Sequence, residues 1–235
     1  MPAPKDTMKQ PYPFADLAQV NRWVGWLLLP PAAITVVALL HAFYSNALLT
    51  GMPSDLLLAH LPPLLSRTLR HADSLRLVQI SLTLLFILFF CVCWLFLAMR
   101  NLHALDGSKE RSMRNSLAIH LGIWGNLAFA LRLMRRLWRE STPDSHAERA
   151  ERWLVPWWWA VLIGANVCKA MAIVELRHPL VLGEWRHGNY WMLTAYMGYV
   201  ALFLLTWRLV KRLEVLQRAS WRHRSERLAG VDGAA

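Results

Sequence analysis

Residues 77–99 run for 23 positions without a charged side chain and include the stretch LLFILFFCVCWLFLAM. A helix needs roughly 20 mostly apolar residues to cross the hydrocarbon core of a bilayer, so one such run already restricts the fold. Three more accompany it. No charge lies between Arg22 and Asp55, and the densest apolar part is 23–49, where Pro30 and Pro31 predict a kink or a late start. Residues 153–176 are interrupted only by Lys169 and Glu175, and 187–207 stop abruptly at Arg208. The sequence therefore predicts spans at about 23–49, 77–99, 153–175 and 188–207. Composition agrees. The chain is 56% hydrophobic and 17% charged, against about 25% charged in ordinary soluble domains. It is too apolar for a disordered chain. Cys91, Cys93 and Cys168 are too few for a disulfide scaffold; placed within spans, they read as small buried hydrophobes.

The surplus of 26 Lys and Arg over 15 Asp and Glu suits either a nucleic-acid binder or a membrane protein, and its distribution favours the second. Residues 115–131 form a short uncharged segment holding His120, Gly122, Gly125 and Asn126. Counted as a fifth span, it divides the loop and tail basic groups 16 to 9; kept on one side with the rest of 100–152, it divides them 20 to 5. Cytoplasmic loops of membrane proteins collect Lys and Arg, so the more polarised division is preferred. The expected fold is all-α: an integral membrane bundle of four transmembrane helices, with 115–140 as a re-entrant or interfacial helix and five spans as the alternative. The whole chain, 1–235, reads as one membrane domain in a bacterial inner membrane. Tails 1–22 and 208–235 are then both cytoplasmic, and no removable signal peptide is evident. Trp23, Trp26, Trp94, Trp153, Trp157 and Trp207 near the inner ends, with Trp185 and Trp191 at an outer end, resemble an interfacial aromatic belt.

Arg132, Arg135, Arg136 and Arg139 recur at helical spacing, which places four guanidinium groups on one face. Leu131, Met134, Leu137 and Trp138 fall on the other side. This is the pattern of a basic amphipathic helix at a membrane surface. The arginine face and Trp138 are thus candidates for binding anionic lipid or a partner protein.

Polar groups inside spans are costly and usually face an interior or water. Lys169 lies two-thirds along its span, with Asn166 before it and Glu175 after it. Together with His41 these make a candidate polar pocket in the outer half, with Gln79, Ser81 and Thr83 as further acceptors. Snorkelling of Lys169 to the headgroups is the simpler account. Nine histidines invite a haem, but the cores of the second to fourth spans contain none, and no HExxH or CxxC spacing occurs. No cofactor or metal is predicted, though the outer polar set leaves haem or quinone open. Nucleophile elbows, phosphate-binding Gly-rich loops and paired intramembrane carboxylates are also missing from the sequence.

The run IWGNLAFALRLMRRLWRESTP, followed by PWWWAVL, resembles the bacterial membrane family termed domain of unknown function 4328. Trp94 and Arg100 match its first motif, and Asn126 with Leu127 an Asn-Leu pair. Leu137, Trp138 and Ser141 match a Leu-Trp-x-x-Ser motif, and Trp158, Trp159 and Ala160 the last. The closing VKRLEVLQ is similar to the family's end. The resemblance covers about 25–217, with specific matches within 94–160. Ile123 and Ala130 stand where the family commonly has prolines, which favours a straight helix. The resemblance implies an uncharacterised integral membrane protein and supplies no activity. The expectation is a non-enzymatic accessory or interaction subunit, with other membrane subunits or further copies of itself as partners, alongside membrane lipids and without nucleic acid. A redox or small-ligand-binding protein, or an anionic-lipid binder, is the alternative.

Overall fold

The computed structural model describes residues 14–106, 127–142 and 153–232, and these are helical apart from short connections. Helix α1 is Leu17–Leu49, α2 is Pro63–Phe89, and a π-helical segment at Phe90–Leu95 joins α2 to α3, Phe96–Asp106. Helix α4 is Leu127–Ser141, α5 is Leu154–Glu175, and α6 is Leu182–Asp232. Four stretches are long and apolar enough to cross a membrane: Leu17–Leu49, Pro63–Leu102, Leu154–Glu175 and Leu182–His223. Their perimeters expose large apolar side chains, among them Trp26, Leu40, Leu85, Val174 and Leu204. Such a surface suits hydrocarbon rather than water.

Three of these helices differ from the sequence expectation in extent, α2 by starting at Pro63, ahead of the expected 77. Pro30 and Pro31 lie inside α1, which continues through both. Helix α6 is 51 residues long, about 76 Å at 1.5 Å per residue, so the segment expected as a tail after Trp207 prolongs the last helix.

The chain alternates direction, and its two ends are built differently. At the loop end, residues 50–62 pack against 176–183. Leu58 N–H donates to Leu180 O at 3.1 Å and Leu182 N–H to Leu56 O at 2.9 Å. Arg186 reaches over to the carbonyls of Leu49, the last residue of α1, and Met52 in the connection after it. Beneath this lies a small cluster of Leu49, Leu61, Leu182 and Trp185. The opposite, basic end is where α1 starts, α3 finishes, α4 docks, α5 starts and α6 extends. Its core is the largest and includes Leu17, Trp94, Leu102, Met134, Leu137, Leu209 and Leu213.

Close helix packing depends on small residues. A Cβ on Gly198 of α6 would lie 2.9 Å from Ala165 Cβ and 3.3 Å from Ala165 Cα in α5. Here the two backbones meet as closely as small residues permit, which is how helices associate where water no longer drives them together. Nearby, Trp158 Nε1–H donates to Thr206 Oγ1 at 2.8 Å, fixing the rotation of α5 on α6.

Asn101 and Ser141 both hydrogen-bond Gln217. The end of α3 and the end of α4 therefore meet at the basic end.

Candidate functional site

The basic end is organised by two linked polar nodes. In the first, Trp94 Nε1–H donates to Asn21 Oδ1 at 2.7 Å, and Asn21 Nδ2–H donates to Glu214. Asn21, Trp94 and Glu214 are all buried. A buried carboxylate needs compensation, and Arg218 supplies it at 3.0 Å while also reaching Asp16 at 2.6 Å. Asp16 caps α1 by accepting from Ala18 N–H at 2.9 Å, the role for which Asp is favoured at a helix start. The Ala18 amide, and after it the Arg218 guanidinium, hold the Asp16 carboxyl below the usual carboxylate range.

In the second node, the Asn101 carboxamide pairs with Ala15 in both directions, accepting from its N–H at 2.9 Å and donating to its carbonyl at 2.8 Å. Gln217 donates to Ala98 O and Ser141 Oγ, each at 3.1 Å, and Ser220 Oγ–H donates to Ser141 O at 3.0 Å. Four separate helices, α1, α3, α4 and α6, are thereby tied within one layer.

That layer fixes α4. Leu133, Met134, Leu137 and Trp138 are buried, whereas Arg132, Arg135, Arg136 and Arg139 are exposed. One of the four, Arg136, is paired with Glu140 at 2.7 Å. The helix is a braced plate with a cationic outer face. Trp138, grouped with the arginines as a contact residue from sequence, points into the core and is 6% exposed, with its indole N–H lacking an acceptor. Trp94 likewise leaves the expected aromatic belt: it is fully buried within the π segment, whose extra residue per turn shifts which side chains face inward. Trp23, Trp26, Trp153, Trp157 and Trp207 do lie at the surface, and Arg208 and Lys211 sit over the Trp153 and Trp207 rings at 5.7 and 4.9 Å.

The outer polar set is only partly gathered. Lys169 Nζ–H donates to Gln79 Oε1 at 3.0 Å and stands 5.1 Å from the centre of the Tyr199 ring. The Tyr199 hydroxyl donates to Asn166 Oδ1 at 3.1 Å, so Lys169 and Asn166 belong to one cluster, with Thr35 and Thr83 accepting from Gln79. Glu175 lies 3.9 Å from His187 instead, and Lys169 has Gln79 as its partner. His41 is six residues beyond Thr35 on α1, about 9 Å towards the loop end, and neighbours Ser45. Ser81 bonds its own helix at Leu77 O and is exposed. Among the described residues, no three His, Cys, Asp or Glu side chains come together as a metal site.

The motif residues occupy the interior of the basic end more than any surface. Trp94, Ser141 and Trp158 are buried and hydrogen-bonded, Trp159 packs at the core's edge, and the Arg100 Nε is buried without an acceptor. Asn126, with the start of the expected 115–140 helix, lies outside the described residues. Sequence reasoning missed Asn21, Asn101, Tyr199, Glu214 and Gln217. Glu214 and Gln217 carried a signal, as polar positions three apart amid Leu and Val in VKRLEVLQ.

Neither the curated proteins nor the solved structures contain a match to this chain. The family described as Domain of unknown function (DUF4328) matches residues 65–215. The match covers α2 to the middle of α6 and leaves α1 outside it, so it is shorter at the start than the motifs suggest. With well over half its length matched, the chain belongs to the DUF4328 family.

Proposed function

We propose that this protein is a non-enzymatic interaction subunit of a membrane assembly, and that it presents the arginine face of α4 to an acidic surface on a partner subunit or a second copy. The observation that carries the reading is the bracing of α4: four arginines outward, with the opposite face buried and the helix end clamped through Ser141 to Gln217. A rigid cationic surface loses little entropy on binding, which favours a specific contact over loose attraction. The charge division of the loops supports a cytoplasmic position for this end in a bacterial inner membrane.

The test is the size of the assembly in mild detergent, measured by native mass spectrometry on protein from its own membranes. The wild-type chain is expected in a complex of fixed stoichiometry. Replacing Arg132, Arg135, Arg136 and Arg139 with Glu releases it without changing its melting behaviour. A monomeric wild-type chain, an assembly indifferent to the reversal, or a haem Soret band in the purified protein overturns the proposal.

A further inference from the structure

Among the described residues, the four long helices pack closely along three seams and less closely along the fourth. Helix α1 packs on α2 and α6, and α6 packs on α5, whereas α2 and α5 have no comparable packing. The side chain of Lys169 reaches across between them to Gln79. Moving inward from the loop end, Arg76 of α2 lies beside Tyr196 of α6. One turn deeper lie Gln79, Lys169 and Tyr199. Deeper still, Phe86 meets the edge of Phe203 at 6.4 Å. The seam is thus polar and cationic near the loop end, closes over the buried rings of Tyr199, Phe86 and Phe203 towards the middle, and is flanked on its helices by exposed Leu77, Leu85 and Val167.

Its charges do not balance. Lys169 is hydrogen-bonded to a neutral amide and shares its field with Arg76. Arg76 meets Asp73 at 3.0 Å, but that carboxylate is 67% exposed, and the Arg76 Nε is buried with no acceptor. Among the described residues, these two cations share one peripheral carboxylate. An uncompensated cation in an apolar setting is expensive.

We propose that this seam binds one anionic glycerophospholipid from the leaflet at the loop end, with its phosphodiester at Lys169 and Arg76 and its acyl chains against the exposed apolar surface of Leu77 and Leu85. Lys169 lies six residues before the end of α5 at Glu175, about 9 Å along the helix, and Arg76 is a turn further out than Gln79. A snorkelled lysine and an arginine at that depth meet the phosphate level of a leaflet. A phosphate also makes charge-assisted bonds with both cations. The site is separate from the α4 face, so it stands or falls independently of the partner proposal.

The experiment uses the full chain in nanodiscs of phosphatidylcholine with a minor share of phosphatidylglycerol, followed by native mass spectrometry of the lipid retained after detergent exchange. The wild type is expected to keep one phosphatidylglycerol per chain, enriched about tenfold over its share in the disc. Lys169→Leu and Arg76→Gln each remove about tenfold of that retention, and Lys169→Arg keeps it. Where Lys169→Leu does not fold, Lys169→Gln, which can still bond Gln79, carries the test. Absence of headgroup preference in the wild type overturns the assignment, as does retention unchanged by loss of either cation. So does retention abolished by neutralising the α4 arginines instead. Displacement by stoichiometric oleate would assign the seam to a carboxylate and equally overturn the phosphodiester.

Discussion

Trp94 and Trp138 offer a matched pair for testing the buried polar layer. Both rings are buried at the basic end, but the Trp94 N–H is bonded to Asn21 at 2.7 Å and the Trp138 N–H has no acceptor. Replacing either with Phe removes a similar volume, roughly 40 Å³, which at 24 cal/mol per Å³ costs about 1 kcal/mol. The hydrogen bond then separates them. Trp94→Phe also leaves the buried Asn21 oxygen unsatisfied, adding about 1–3 kcal/mol. Trp138→Phe removes an unsatisfied buried donor, a gain that offsets the lost volume. The expected difference is about 2–4 kcal/mol, with Trp94→Phe strongly destabilised and Trp138→Phe near neutral. Reversible unfolding in mixed SDS micelles, followed by far-ultraviolet circular dichroism, measures both. Equal destabilisation of the two variants would refute the hydrogen-bond reasoning and reduce the layer to simple packing.

Three further outcomes follow from the same geometry. Gly198→Ala places a methyl group 2.9 Å from Ala165 Cβ and should cost about 1–3 kcal/mol by overpacking; Gly164→Ala, with nothing within 4 Å, should be neutral or stabilising by up to about 1 kcal/mol. The same unfolding assay reads both, and shifts of equal sign and size would contradict the close seam. Gln217→Leu severs the bonds to Ala98 and Ser141, so hydrogen exchange across Leu127–Ser141 should accelerate at least tenfold, whereas unchanged protection would show that α4 is held by its apolar face alone. Asp16 has its carboxyl held below 3.8 when folded, so its contribution is complete above that value and disappears as pH falls through the folded pKa. Because the pair with Arg218 is exposed, the loss is small, below about 1 kcal/mol, and Asp16→Asn should abolish this part of the acid dependence in an unfolding-versus-pH series.

The four apolar helices were legible because hydrocarbon selects for long uncharged runs, a property of the chain one segment at a time. The α4 face was legible for a related reason. Four arginines at helical spacing share a face whatever lies behind them, and the structure exposes all four. Sequence also singled out Lys169, since an ionised group in a span is conspicuous against its neighbours. Its partner was less so, because snorkelling, a carboxylate such as Glu175, and an amide on another helix are all compatible with one linear pattern.

What lay beyond reach was every contact joining distant segments. Asn21 and Glu214 are 193 positions apart, and Asn101 and Gln217 are 116 apart; nothing in either neighbourhood specifies the other. Trp94 shows the limit most clearly. By position it belonged to an interfacial belt, yet the π segment carries it into the core and onto Asn21. Hydrophobic length and periodicity by themselves determined that the chain forms apolar helices and which face of α4 is charged, because both depend on solvent and on local helical geometry. Tertiary structure alone decided which polar groups meet, that Lys169 reaches Gln79 between α2 and α5, and that the ends of α3 and α4 join α6 in one layer. Those outcomes depend on how whole helices rotate and pack against one another, and the pattern within a single helix does not encode them.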